Sequence, residues 1–191
     1  MRALLVVAHH RKDSLTAHLA ARARARLEAG GVEVDLLDLH AEGFDPRMSS
    51  EDEPDWADAG KVYSPEVRAH MARIVAADLV TVVFPVWWFG PPAILKGWID
   101  RVWNHGFAYG PSVVGGKRMR WLGLAGESAS SYEERGVADV LDRQLRVGVS
   151  EFCGITDAAL TVLHGTVTRD PERVAGLVAR AGDAVEEWLR R

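Results

Sequence analysis

Apolar runs alternate along the chain with segments in which apolar residues follow helical spacing. The runs at residues 3–8 and 79–84 are continuously apolar or nearly so, which is typical of strands buried on both faces of a parallel sheet. The predicted strands are 3–8, 32–37, 79–84, 119–125 and 158–163. The predicted helices are 15–29, 66–77, 93–103, 133–147 and 171–189. This alternation predicts an α/β fold with a five-stranded parallel sheet and helices on both faces.

Cap and turn residues mark several boundaries between these elements. Asp13 or Ser14 provides an N-cap for the first helix, and Pro65 and Pro92 suit helix starts. The longest predicted loop, residues 38–64, is polar and irregular. A loop of that length in a compact domain is usually functional or mobile, so we expect it to matter beyond connecting its neighbours.

Composition and charge narrow the possible functions. The 191 residues predict a single domain, residues 1–191, and the net charge of −4 argues against a nucleic-acid partner. The only cysteine, Cys153, excludes an intramolecular disulfide and a multi-thiolate metal centre, and its apolar neighbours predict a buried thiol. The histidines lack metal-ligand spacing, so no metal site is predicted. With neither a membrane-spanning run nor a signal peptide, the sequence predicts a cytoplasmic protein.

Ligands of open parallel sheets bind beyond the carboxyl ends of the strands, which directs attention to the segments after strands one, three and four. The first segment contains His9, Ser14 and Thr16 and leads into a helix N-terminus, where free N–H groups favour an anion such as phosphate. It matches neither the dinucleotide fingerprint nor the Walker loop. The alternative is that Asp13 or Ser14 only caps the helix and that His9 is an ordinary loop residue.

The second segment, residues 85–92, sets Trp87, Trp88 and Phe89 between prolines and predicts a stiff aromatic turn at the mouth of the sheet. Aromatic rings next to free backbone donors suit a flat heterocycle. An aromatic core or a dimer contact is the alternative, and it is favoured for Trp98 and Trp103 on the following helix. The third segment, residues 126–132, offers small residues and the hydroxyl of Tyr132, and its signal is weak.

One stretch closely resembles a known family. Phe84-Pro-x-x-Trp-Phe-Gly-x-Pro-Ala-Ile-Leu-Lys-Gly-Trp-Ile-Asp-Arg-Val, followed by Gly106-Phe-Ala-Tyr-Gly110, is similar to the flavodoxin-fold NAD(P)H:quinone oxidoreductases. Residues 8–16, 126–132 and 152–154 occur in the expected order. The family includes ancillary subunits of glutathione-gated potassium efflux systems.

The resemblance implies a flavodoxin-like homodimer that passes a hydride from NAD(P)H through a bound flavin to a quinone. FAD is favoured, with FMN as the alternative. The implied phosphate and ribityl contacts are His9, Ser14, Leu15 and Thr16. The implied contacts of the flavin ring are Pro85, Val86, Trp87, Trp88, Phe89, Gly126, Glu127 and Tyr132. Tyr109, with Phe107 in the same run, would line the substrate pocket of the neighbouring subunit, and Tyr132 would stabilise the reduced flavin.

The chain departs from the mammalian-type members of this family at three points. Glu127 stands in a turn that is Thr-Thr-Gly-Gly in those enzymes and adds charge near the flavin. Ala138 occupies the position of a histidine that follows the tyrosine, so a histidine–tyrosine relay cannot operate as in them. Their C-terminal extension is missing from this sequence, which implies a more open pocket.

Two other functions stay open at this point. A flavin-binding regulatory subunit of a potassium-efflux transporter is the main alternative, and membrane pull-down would discriminate it. A pure electron carrier is the other. It is disfavoured because such carriers have a Thr/Ser-rich phosphate loop and a strongly acidic surface, whereas this chain carries a net charge of only −4.

Overall fold

The predicted strands form one parallel sheet in the computed structural model, which describes residues 1–190. The strands are β1 (Arg2–Val7), β2 (Glu33–Asp38), β3 (Leu79–Pro85), β4 (Arg118–Leu124) and β5 (Asp157–Leu163). Their order is β2-β1-β3-β4-β5. β2 pairs with one side of β1 and forms the edge of the sheet, and β3 pairs with the opposite side of β1. The carboxyl ends of β1 and β3 are therefore neighbours where the strand order reverses, which is the usual place for a ligand.

Helices cover both faces of the sheet, as predicted. They are α1 (Leu15–Ala29), α2 (Pro65–Ala76), α3 (Ala93–Val102), α4 (Ala129–Glu134), α5 (Val140–Asp142), which continues as a π-helix (Arg143–Glu151), and α6 (Pro171–Arg190). Side chains of α1 and α6 pack with Leu5 on one face, and those of α2, α3 and the π-helix pack with Leu4 on the other. Trp98 and Trp103 belong to this second core, as their position on the helix predicted. No helix within residues 1–190 has the length and apolarity needed to cross a bilayer.

The predicted helix at 133–147 is wrong at residues 135–139, where the helix is interrupted. The chain forms α4 earlier, ends it at Glu134, and only becomes helical again at Val140. Gly136 takes a φ of +67°, its N–H donates to the carbonyl of Glu133 at 2.9 Å, and the Val137 N–H donates to the carbonyl of Tyr132 at 3.0 Å. This pair of bonds is a Schellman motif, which a glycine completes at low cost. The apolar spacing runs across this break and so gives no sign of it.

The long loop between β2 and α2 has no strand or helix, as predicted, but a buried carboxylate anchors it to α3. Asp52 is fully buried and accepts hydrogen bonds from the Arg101 guanidinium at 2.8 Å and the Ser64 N–H at 2.9 Å. Asn104 donates to the Asp52 carbonyl at 3.0 Å. The loop is therefore fixed at its centre.

Candidate functional site

The three segments singled out in the sequence meet at the carboxyl edge of the sheet. Backbone pairing continues just beyond the strands: Ala8 N–H donates to the Val83 carbonyl at 3.1 Å, and Val86 N–H donates to the Leu124 carbonyl at 2.8 Å. These bonds bring the start of each segment into register with its neighbour. The loops after β1, β3 and β4 thus leave the sheet side by side at one edge.

Ser14 is the N-cap of α1, so the capping interpretation is confirmed and Asp13 is not the cap. The Ser14 Oγ accepts a hydrogen bond from the Ala17 N–H at 3.1 Å. A hydroxyl that accepts one hydrogen bond still has its own proton to donate. Ser14 and Thr16 are both buried at the entrance of α1, where first-turn N–H groups have no carbonyl partner within the helix. Capping and anion binding are therefore compatible at this position.

His9 lies beside this helix entrance with a defined tautomer. Its Nδ1 accepts a hydrogen bond from the Arg11 N–H at 3.0 Å, which leaves the proton on Nε2. Burial, followed by the charges of His10 and Arg11, lowers the pKa of His9, so the ring is neutral at pH 7. The imidazole stacks on His10 with ring centroids 4.7 Å apart, and Trp87 lies 6.2 Å away. The ring therefore offers one N–H donor between the first and second segments.

The aromatic turn after β3 is strained. Trp87 and Gly90 exchange two backbone hydrogen bonds of 3.0 Å, and the residues between them, Trp88 and Phe89, have φ values of +51° and +59°. Turns with two left-handed central residues normally use Asn-Gly, because left-handed backbone costs a bulky residue on the order of 1–3 kcal/mol. Within residues 1–190 the N–H groups of Trp88 and Phe89 donate to no protein acceptor. The turn therefore combines a strained backbone with two N–H groups that are available to a ligand.

Tyr132 closes the site from the third segment. Its ring is buried, and it contacts Phe89 at 5.2 Å between centroids. Burial and the nearby Glu127 carboxylate raise the pKa of Tyr132, so the phenol stays protonated at neutral pH. Glu127 itself accepts from the Ser131 hydroxyl and lies 3.5 Å from the Arg135 guanidinium. A cavity of about 180 Å³ is lined by Val86, Trp88, Phe89, Glu127 and Tyr132, which joins the second and third segments.

The segment after β5 also reaches this edge, and the sequence analysis missed it. Ala125 N–H donates to the Leu163 carbonyl at 2.8 Å, which extends the pairing of β4 with β5. A groove of about 340 Å³ runs from the start of α1 to residues 166–174, lined by Asp13, Ser14, Leu15, His18, Thr166, Thr168 and Val174. The position of this segment after a predicted strand was the available signal.

Tyr109 lies away from the Tyr132 cavity within this chain. It lines a larger cavity of about 420 Å³ with Trp103, Phe152 and Cys153, while Phe107 is buried in the core. Burial raises the pKa of the Cys153 thiol to about 11, so this buried cysteine is a poor nucleophile, as the sequence predicted. No group of three or more acidic, histidine or cysteine side chains within residues 1–190 is arranged to hold a metal ion.

Comparisons with known proteins agree on one family. The family model of the flavodoxin-like fold matches residues 1–189. The uncharacterized NAD(P)H oxidoreductase YcaK of Escherichia coli K12 is 41% identical over 174 residues, which cover 91% of this chain and 88% of that protein. NAD(P)H dehydrogenase [quinone] 1 of Rattus norvegicus is 34% identical over 80% of this chain and 65% of its own length. The solved NAD(P)H:quinone oxidoreductase of Methanothermobacter marburgensis superposes with a TM-score of 0.90 at 26% identity, covering 97% of this chain and 94% of that one.

Proposed function

We propose that this chain, which belongs to the flavodoxin-like family and is an NAD(P)H oxidoreductase, uses a bound flavin to pass a hydride from NAD(P)H to a quinone or a similar small acceptor. One observation supports the flavin most strongly: the strained turn at Trp88 and Phe89 presents two unpaired N–H groups beside the cavity closed by Tyr132. A flat ring with polar atoms along its edge suits such a site, because it stacks on aromatic side chains and accepts from backbone donors.

The residues at the sheet edge fit such a cofactor in chemical type. His9, Ser14 and Thr16, with the N–H groups at the start of α1, would hold its phosphate. Residues 85–89 would hold the ring, with Leu15 at the phosphate end and Gly126, Glu127 and Tyr132 on the pyrimidine side. When bound, a flavin supplies the group that accepts and donates the hydride.

We favour FAD over FMN because of the groove beyond the start of α1. Its volume of about 340 Å³ extends from Ser14 and His18 to Thr168 and Val174, past the position proposed for a phosphate. An FMN would end at that phosphate, whereas the adenosine half of an FAD needs further room of this kind. The groove therefore supports the larger cofactor.

Tyr132 is the proposed catalytic side chain. Its pKa is raised by burial and by Glu127, so the phenol remains a hydrogen-bond donor throughout the neutral range. A fixed donor in a buried site stabilises negative charge that develops nearby. We expect Tyr132→Phe to slow reduction of the bound flavin by NAD(P)H about a hundredfold in stopped-flow measurements, the usual effect of losing one such donor.

Tyr63→Phe is the matched control for this variant. Tyr63 is also buried, but its hydroxyl donates to the His105 carbonyl at 2.8 Å, outside the Tyr132 cavity. Its rate of flavin reduction should equal that of the wild type. An unchanged rate in Tyr132→Phe would remove the proposed role of Tyr132.

The acceptor site requires a second copy of the chain in this proposal. Tyr109 faces a cavity on the side of α3 and the π-helix rather than the Tyr132 cavity of its own chain. A homodimer in which Tyr109, with Phe107 behind it, reaches the flavin of the other subunit would bring the two together. The alternative function, a regulatory subunit of a potassium-efflux transporter, remains a hypothesis without an observation of its own.

A further inference from the structure

A histidine that the sequence analysis did not single out lies directly against Tyr132. His164 follows the last residue of β5, and its ring centroid is 4.8 Å from that of Tyr132, with the ring planes at 83°. Phe89 contacts the same phenol ring at 5.2 Å with the planes at 70°. Rings from the ends of β3 and β5 therefore meet the ring of Tyr132 edge-on and restrict its orientation.

The backbone on both sides of His164 is held by hydrogen bonds. The Leu163 carbonyl accepts from the Ala125 N–H at 2.8 Å, and the Gly165 N–H donates to the Glu127 carbonyl at 2.9 Å. The Thr166 hydroxyl adds a bond of 2.9 Å to the Ala125 carbonyl. Because the backbone is held on both sides of residue 164, its Cα atom has a fixed place beside the phenol.

Besides contacting the phenol, the imidazole of His164 has a buried nitrogen and borders a second cavity. The Nδ1 of His164 is buried and has no hydrogen-bond partner within residues 1–190. An apolar ring would fill the same place without leaving a buried nitrogen unpaired, which is a destabilising arrangement. On the side of α6, His164 borders a cavity of about 220 Å³ that is also lined by Arg173 and Arg180. The imidazole thus separates the phenol from a cationic, water-accessible space.

We propose that His164 is the positioning residue of Tyr132: its imidazole packs against the phenol ring and fixes that ring at the edge of the site. The position that follows Tyr132 by six residues, Ala138, is exposed and supplies no such group. The contact between the two rings is independent of the cofactor, whereas its consequence for flavin reduction rests on the proposed function.

The first test measures the NMR resonance of the Tyr132 phenol in the full chain without added flavin. With carbon-13 at Cζ of tyrosine, the protein gives one resonance for each of its 3 tyrosines, and Tyr132→Phe assigns the relevant one. We expect His164→Ala, which removes the ring, to move the Tyr132 resonance and to leave the other two unchanged. His164→Phe should move it less, because a ring stays against the phenol. A Tyr132 resonance that is unchanged in His164→Ala would overturn the proposal.

The second test measures reduction of bound flavin by NAD(P)H in a single turnover. His164→Ala removes the ring from Tyr132, and we expect it to be roughly tenfold slower, the effect of a modest loss of positioning. His164→Phe should recover most of the rate because it keeps a ring against the phenol, and the exposed His40→Phe should match the wild type. A wild-type rate in His164→Ala would contradict the proposal. If the wild-type protein takes up no flavin, the proposed function fails, while the tyrosine resonance still decides the role of His164.

Discussion

Trp88 and Phe89 carry the clearest mark of function at the scale of single residues. Both adopt left-handed backbone, with φ of +51° and +59°, and the Trp88 side chain is 96% exposed. Neither burial nor a side-chain packing partner explains the conformation of Trp88. Strain of this kind clusters at ligand sites, and this turn lines the Tyr132 cavity.

Relieving this strain should stabilise the protein while weakening the site. In Trp88→Asn the new residue tolerates left-handed backbone, and no buried contact is lost, so we expect the free energy of unfolding without flavin to rise by about 1 kcal/mol. Flavin affinity should fall at the same time. Urea unfolding and flavin titration measure the two effects.

Trp56→Asn is the control for this prediction. Trp56 is 72% exposed and has ordinary backbone, so its replacement should give no gain in stability. If Trp88→Asn also gives no gain in stability, the turn is not strained in the way described.

At the scale of elements, one buried carboxylate fixes the long loop before α2. Burial alone would raise the pKa of Asp52, but hydrogen bonds from Arg101 and Ser64 outweigh it, and the pKa is lowered. The Arg101 guanidinium also lies 2.9 Å from the Glu66 carboxylate. Because the folded pKa lies below the ordinary value, the stability contributed by Asp52 is present at neutral pH and is lost as the pH falls through that lowered pKa.

Removing the charge of Asp52 should lower the stability of the fold. We expect Asp52→Asn to lower the free energy of unfolding by about 3 kcal/mol, because it removes the buried carboxylate that pairs with the buried Arg101. Asp139→Asn breaks an exposed pair, with Asp139 2.6 Å from Arg143, and should change stability by less than about 0.5 kcal/mol. Equal losses in the two variants, measured by urea unfolding, would show that Asp52 is not an anchor.

The sequence predicted the elements whose pattern is local and missed those that depend on backbone geometry or long-range contact. Apolar runs, together with the prolines, glycines and cap residues between them, predicted the strands and the burial of Trp98 and Cys153. They also predicted the loops at the ends of β1, β3 and β4. The break at Gly136 was missed because the apolar spacing continues across it. His164 was missed because its contact with Tyr132 joins residues far apart in sequence, and only the pairing of β4 with β5 brings them together.

At the scale of the whole molecule, a strip of aromatic side chains reaches the surface beside the cavity of about 420 Å³ that Tyr109 lines. Trp56, Tyr109 and Phe152 form a chain of ring contacts of 5.5 and 5.6 Å, and Phe152 is 66% exposed. Exposed apolar patches of this kind mark interfaces. The strip borders the cavity lined by Tyr109, which is the part of the site that the proposed homodimer would complete.

We therefore expect the protein to sediment as a dimer and Phe152→Asp to shift it towards monomer. A charge placed in a desolvated interface opposes association. Leu36→Asp is the control, since Leu36 is 40% exposed on the edge strand β2, away from this strip. A monomeric wild type in sedimentation velocity would contradict the proposed acceptor site.

The central claim is that the strained turn and the loops around it hold a flavin. The most direct measurement is the visible absorption spectrum of the purified protein, with the mass of any cofactor released on heating. We predict a flavin spectrum and the mass of FAD; release of FMN instead would leave the flavin claim standing and overturn the interpretation of the groove at Ser14 and Val174. A colourless protein that takes up neither FAD nor FMN would contradict the account.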